Sequence, residues 1–389
     1  MKKDYYIDVP IWPYADEKER EIVDDVLKSG CWWRNVGTQV KMFEKEFSEY
    51  HCCQGGVTVA NGTVAIEIAL RALSIKEGDE VIVPAFTFYS TVSAVLSIKA
   101  VPVIVDVLPD TFCIDPAQVK RALSDKTKAI IVVHMAGHMV DMDAVHDIAI
   151  NNKLYVIEDA AHAHGAEYKG KKVGTLSDCS TFSFQNAKLM TAGEGGIILS
   201  NNNHVLHHAF LQANCGREEK DTNYQHTMIG TNARLSEFQG GILRVQLSRL
   251  NEQNQIREKN YQYLSELFDN ILGIKLQTTK EEITVNPHYM IMFYYDKAYF
   301  HNASRDEFVL YLKSKGIPAN RAYESIYKLP VFSFLDRSIW KVVGEEDRGG
   351  YIHCENSERI SDNVVCISHN VLLGDKKLIH NVVDVIRGF

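Results

Sequence analysis

The chain lacks any uninterrupted apolar run approaching the roughly 20 residues needed to span a bilayer, so a membrane-embedded protein is not expected. Its opening "MKKDYYIDVPIWPYADEKE" carries two lysines but no continuous apolar stretch of the kind that makes a secretory leader. A cytoplasmic location is the expectation. Excess positive charge is missing too: 42 Lys and Arg against 50 Asp and Glu leave a formal charge of -8, a poor match for a phosphate backbone. Nucleic acid is therefore not an expected partner. The eight cysteines form no C-x-x-C or paired knuckle, so reduced thiols are the default and no role follows for them. Internal repeats and low-complexity tracts are absent from the sequence.

What is present is the composition of a globular protein, 46% hydrophobic and 24% charged, in 389 residues. That length suggests about two to three units of roughly 150 residues, best read as a large domain and a smaller one. Helical periodicity marks 15–30 and 38–50 as amphipathic helices. From residue 55 short β-rich runs alternate with helical ones: "GGVTVA", "DEVIVP", "VPVIVD", "AIIVVH", "LYVIED", then "STFSF" and "GGIILS". This alternation predicts an α/β domain with a mostly parallel sheet sandwiched by helices. A long helical stretch over 234–268 could bridge two units, which puts a boundary near residue 250, with a large domain over 1–250 and a smaller α/β domain over 251–389.

In open parallel sheets ligands sit outside the carboxyl ends of the strands, so the residues that follow each apolar run are the ones to read. They are Asn61-Gly62-Thr63, Phe88, Asp106, His134, Glu158-Asp159 and Ser183. "NGT" at the start of an apolar helix offers free N–H groups and a positive dipole end, a phosphate site by construction, although taken alone it reads first as an ordinary helix cap by Asn or Thr. Asp159 follows four apolar residues, where a carboxylate needs a cation or several donors; a protonated pyridine nitrogen or a structural salt bridge would serve. Lys188, in "FSFQNAKLMTAGEGG", carries the one side-chain amine type that condenses with aldehydes, chemistry an arginine cannot perform; a solvated loop lysine is the plain alternative. His134, His138, Asp141 and His146 have zinc-ligand chemistry, but their places on a strand end, a loop and a helix do not share a face, and no metal is expected. His162 and His164, two apart, read as one inward and one outward residue.

Taken in order, "ANGTVAIEIALRAL", "VIVPAFTFYSTVSAV", "VHMAGHMVDMDA", "VIEDAAHAHGA", "FSFQNAKLMTAGEGG" and "GTNARLSEFQGGIL" resemble the fold-type I pyridoxal phosphate enzymes of the DegT/StrS group, the sugar and cyclitol aminotransferases. The resemblance runs from about residue 15 to the C-terminus. It implies pyridoxal 5'-phosphate as cofactor, Lys188 as the Schiff-base lysine and Asp159 as the carboxylate on the pyridinium nitrogen. It further implies Gly62, Thr63 and Ser183 as the phosphate cradle, Phe88 as the aromatic stacked on the ring, and a homodimer in which Asn232 reaches the phosphate of the neighbouring subunit. Many members carry glutamine where this chain has His162; the branch of 3-amino-5-hydroxybenzoate synthases resembles it in having histidine. The implied activity is transfer of an amino group from glutamate or glutamine to a cyclic keto substrate, a keto-sugar or keto-cyclitol. The alternatives are an aromatising dehydratase acting on an amino-shikimate-like ring and a non-catalytic cofactor-binding regulator. Arg34, beside two tryptophans in "CWWRNVG", and Tyr323 are candidate substrate residues, with Arg217, Arg321 and Tyr327 as further loop candidates.

Overall fold

The computed structural model describes residues 6–219, 221–346 and 352–389. Helix α1 (Glu17–Ser29) starts at a capping box of Asp16 and Glu19 and stops at Gly30 with φ 67°. Helix α2 (Gln39–Tyr50) follows, and its first N–H groups are met from afar: Glu237 accepts from Gln39 N at 2.6 Å and Val40 N at 3.2 Å.

An eight-stranded sheet forms the centre, in the order β1 (Gly55–Val59), β9 (Gly196–Ser200), β8 (Cys179–Ser183), β5 (Tyr155–Asp159), β4 (Thr127–Val133), β2 (Glu80–Pro84), β3 (Val101–Val105) and β14 (Lys341–Val343). Only β9 runs against the rest. Alternate residues of each strand feed two cores. Ile82, Val103, Ile130, Val132 and Leu199 pack with Phe43 and Phe47 of α2. Val81, Val83, Ile104, Ile131 and Ile198 pack instead against α3 (Gly62–Ala72), α4 (Ser90–Ser97) and α7 (Asn203–Ala213). Because both faces are covered, the inner strands read as unbroken apolar runs rather than alternating ones. Helices α5 (Pro116–Arg121) and α6 (Met142–Asn152) complete the crossovers.

Helix α8 (Glu237–Phe268) is one element of 32 residues, roughly 48 Å at 1.5 Å per residue. Its first half buries Leu243 and Leu250 in the core shared with α2, and its second half buries Leu264 and Phe268 in a third core. That third core belongs to a four-stranded antiparallel sheet, β10 (Ile274–Leu276), β12 (Met290–Tyr295), β17 (Val364–Ser368) and β13 (Ala319–Arg321), covered by α9 (Arg305–Ser314) and α11 (Lys376–Arg387). Minor pairings join β11 (Ile283–Val285) to β6 (Glu167–Tyr168), β6 to β7 (Lys171–Lys172), and β15 (Glu345–Glu346) to β16 (Ile352–His353).

Residue 250, where the boundary is expected, falls inside α8, the long helix expected to bridge the two units. The carboxyl-terminal part also returns to the large sheet, where β14 pairs with β3 as the edge strand. Helix α10 (Glu355–Asn363) is fastened there as well, since Asp106 accepts from Asn356 N and Ser357 N, both at 2.9 Å. Ile7, near the start of the chain, lies in the third core. Among the described residues, no helix is long and apolar enough to cross a membrane.

Candidate active site

The carboxyl ends of β5 and β8, the first turn of α3 and the chain leading into α4 surround one cavity of ≈ 670 Å³, within the ordinary range for small-molecule sites of about 300–1,000 Å³. Asn61 caps α3 by accepting from Val64 N at 2.9 Å, so the first turn of the helix opens onto this space with Gly62 and Thr63 on the wall. A Cβ added to Gly62 would stand 2.8 Å from Ser183 Cβ, so the cradle between helix and strand exists only with glycine there.

Lys188 is carried by the turn that links β8 to β9. Phe184 N donates to Gly195 O at 2.8 Å, Thr191 Oγ1 to Phe184 O at 2.9 Å, and Lys188 N to Gln185 O at 2.9 Å. Gly195 holds φ at 154°, which a side chain would strain. The Lys188 ammonium lies 4.7 Å from the centre of the Tyr289 ring. Burial pulls its pKa from 10.5 to about 8, against a smaller opposing pull from Asp159.

Asp159, 7% exposed, ends β5 on the same wall. Thr91 Oγ1 donates to its Oδ2 at 2.9 Å and Ala161 N to its Oδ1 at 3.3 Å, while burial pushes its pKa up. Its neighbour Glu158 points the other way, accepting from Gly174 N at 3.1 Å, Ser177 Oγ at 2.7 Å and His134. Val140 N donates to His134 Nδ1, so the proton of that imidazole sits on Nε2 and is given to Glu158 at 2.9 Å.

His162 is buried with its Nδ1 unpaired and lines the cavity, its ring stacked 4.2 Å from Tyr289 and 6.4 Å from Tyr323. Burial lowers its pKa well below the usual histidine value, leaving it neutral. Contrary to the alternation expected, His164 is buried as well, behind β8, where its Nε2 meets the Ser183 carbonyl at 3.0 Å. Phe88 is 56% exposed and also lines the cavity, 6.0 Å from Tyr323.

The structure thus brings Gly62, Thr63, Phe88, Asp159, His162, Ser183, Lys188 and Tyr323 to one cavity. Arg34 is not among them. It is 4% exposed and pairs with Glu44 at 2.7 Å, because a guanidinium taken out of water needs an anion. Arg217 is likewise engaged with Asp221, Arg321 lies exposed on β13, and Tyr327 donates to Glu358. Asn232 lies exposed outside the cavity lining, bridged to Asn214. His134, His138 and His146 go to separate partners: Glu158, Lys280 N and the Leu176 carbonyl. No group of three or more potential metal ligands gathers among the described residues.

Sequence reading missed Thr87, Thr91, Gln185 and Tyr289. The first two flank the start of α4, Thr87 in the bend before it and Thr91 in its first turn, and nothing in their spacing says what they face.

The donor set suits pyridoxal phosphate: an amine, a buried carboxylate, a flat wall of His162 and Phe88, and a helix N-terminus whose cradle closes if Gly62 gains a Cβ. A buried lysine and a buried carboxylate at the carboxyl edge of a mostly parallel sheet, beside a helix start, are the arrangement of a fold-type I aminotransferase-like enzyme. Comparison with known proteins carries this further. Residues 13–387 match the DegT/DnrJ/EryC1/StrS aminotransferase family, and the chain belongs to that family. It is 39% identical over 381 residues to 3-amino-5-hydroxybenzoate synthase of Amycolatopsis mediterranei (strain S699), covering 97% of this chain and 96% of the relative. It is 32% identical over 391 residues to a putative L-glutamine:3-amino-2,3-dideoxy-scyllo-inosose aminotransferase of Micromonospora echinospora, covering 97% and 92%. Among solved structures, 3-amino-5-hydroxybenzoic acid synthase superposes with a TM-score of 0.92 at 39% identity, covering 98% of each chain. DesV of S. venezuelae, solved with a ketimine intermediate, superposes with a TM-score of 0.85 at 28% identity, covering 97% and 98%.

Proposed function

We propose that this aminotransferase holds pyridoxal phosphate at Lys188 and passes an amino group from glutamine or glutamate to an uncharged cyclic ketone, a keto-cyclitol or keto-sugar. The observation that carries the reading is a single cavity that gathers the Lys188 amine and the Asp159 carboxylate beside a helix start. Among the described residues lining that cavity, Lys188 is the only lysine or arginine, and in this reading it is committed to the cofactor. This wall therefore offers no cation for a nucleotide diphosphate, which favours a neutral ring. The relatives named for scyllo-inosose substrates point the same way, and their names specify glutamine.

Pyridoxal phosphate, when bound, supplies an aldehyde and an electron-withdrawing ring that can carry the amino group between donor and acceptor. The N–H groups of α3, with Thr63 and Ser183, would receive its phosphate. Asp159 would offer an anionic oxygen to the ring nitrogen, and His162 and Phe88 would form the flat walls. Lys188 Nζ would hold the cofactor and, once free as an amine, would be the base that accepts a proton from the donor's α-carbon and the acid that returns it to the acceptor's carbon in the reverse half. A pKa near 8 leaves a usable fraction of that amine unprotonated at neutral pH.

The same reading has two copies share their sites, with Asn232 reaching the phosphate in the neighbouring copy. Its exposed position away from its own cavity supports this; a fully active monomer at assay concentration contradicts it. Eight free thiols suit the reducing cytoplasm expected for the protein.

A second reading, aromatising loss of water from an amino-shikimate-like ring, is favoured by the 39% identity to 3-amino-5-hydroxybenzoate synthase and by the histidine at 162. The test is a single series. The protein mixed with pyridoxal phosphate should show a visible absorption band that Lys188→Ala lacks, and an unchanged band in that variant overturns the assignment. Glutamine or glutamate should bleach the wild-type band, and a panel of inososes and keto-sugars should restore it. Water loss with no donor requirement selects the second reading.

A further inference from the structure

We propose that Thr91 is the positioning residue for Asp159 and is itself held by Thr87, so that two hydroxyls in series fix how the carboxylate faces the cavity. The proposal rests on the cofactor reading above, which assigns no part to either threonine.

Thr87 lies in the bend after β2, before the cap of α4, and Thr91 in the first turn of that helix; their hydroxyls meet directly. Both are buried, Thr87 at 2% exposure and Thr91 at 0%. Thr91 Oγ1 stands 2.9 Å from Asp159 Oδ2, and Thr87 Oγ1 stands 2.8 Å from Thr91 Oγ1. A hydroxyl owns one hydrogen, and an ionised carboxylate only accepts. Thr91 therefore gives its hydrogen to Asp159, and the second bond runs from Thr87 to Thr91. The direction of the chain is fixed: Thr87 to Thr91 to the carboxylate.

An ionised carboxylate offers about four lone-pair sites. Thr91 takes one on Oδ2 and Ala161 N takes one on Oδ1, which ties both oxygens and stops the group from rotating. The remaining sites are left for a donor in the cavity that Asp159 and Thr87 both line. A threonine on a helix often bonds back to a carbonyl four residues earlier; here the partner four residues back is a side chain, and the donated hydrogen leaves the helix altogether. The hydroxyl also bears on charge. Burial pushes the Asp159 pKa up, and among the influences pulling it back Thr91 ranks first, ahead of Ala161 N, Lys188 from the β8–β9 turn and His134 from the end of β4.

The experiment is equilibrium titration of the full-length apoprotein with pyridoxal phosphate between pH 6 and 9, for wild type, Thr91→Val, Thr91→Ser and Thr87→Val, with a thermal melt of each. Loss of a hydrogen bond to a charged group is expected to weaken binding in Thr91→Val by about ten- to a hundredfold. The defect should be largest at the acid end, because a carboxylate without its strongest donor protonates more readily. Thr91→Ser should return to within about threefold of wild type, and Thr87→Val should fall between the two. Wild-type affinity in Thr91→Val across the range overturns the proposal and leaves the cofactor reading standing; so does a serine variant as weak as the valine one, which would make the methyl group the cause. If Thr91→Val melts below assay temperature, Thr87→Val decides, and wild-type affinity there overturns the chain of two. A wild-type protein that binds no pyridoxal phosphate sinks the parent reading, and this proposal with it.

Discussion

At the scale of single residues the site is a set of charges held at a cost. Lys188 loses its proton near pH 8 in the folded chain and near 10.5 when exposed. Between those values the unfolded chain binds more protons, so this group makes stability rise with pH across that window; below pH 8 both states hold the proton and its slope vanishes. Apoprotein Lys188→Met should accordingly exceed wild type in stability at pH 7, with the gap closing between about pH 8 and 10.5 in urea denaturation. A constant gap would place the lysine in water. Glu158 is the opposite case, a buried carboxylate that three donors converge on. Glu158→Ala leaves those donors without an acceptor and is expected to destabilise the fold by about 3 kcal/mol or more, read from denaturation midpoints. The histidines of 134–146 have separate partners at this scale: His134 serves Glu158, while His138 and His146 meet backbone groups.

At the scale of elements, α3 and the β8–β9 turn set the geometry. The start of α3 is usable because Asn61 caps only Val64 and because residue 62 has no side chain. Gly62→Ala puts a carbon 2.8 Å from Ser183 Cβ, a separation that real Cβ atoms do not keep, so strand and helix must part. The expected outcome is a folded protein whose affinity for pyridoxal phosphate drops at least about tenfold, or 1.4 kcal/mol, in an absorbance titration. An unchanged affinity would move the phosphate away from this cradle. Element by element, the sequence displayed strands β1 to β5, β8 and β9 as apolar runs, because strands covered on both faces need no polar alternation. It did not display β14, three residues whose pairing with β3 depends on chain that is distant in sequence.

For the whole molecule, α8 is the member that ties together the two sides of residue 250. It belongs to two cores, and the carboxyl-terminal part sends back both an edge strand and a capped helix. A fragment of residues 1–250 would end at Leu250 in mid-helix, leave β3 as an uncovered edge, and strip Asp106 of its partners on α10. We expect it to show no cooperative unfolding transition by circular dichroism. A sharp transition would mean that the large sheet is self-sufficient.

The sequence by itself determined the α/β alternation, the polar residues at the strand ends, and the identities of Lys188, Asp159, Gly62 and Ser183 as the residues to watch. These are local facts, written in runs of apolar residues and in the chemistry of an amine beside glycines. Which of those groups face one another was decided only by the tertiary structure. Glu158 and Asp159 are adjacent in the chain and point to opposite sides of a strand, one into a structural network and one into the cavity. Arg34 looked available and is consumed by Glu44, while Thr91 looked ordinary and reaches Asp159 across 68 positions of sequence. Pairing at that separation depends on how helices settle on a sheet, and no local pattern encodes it.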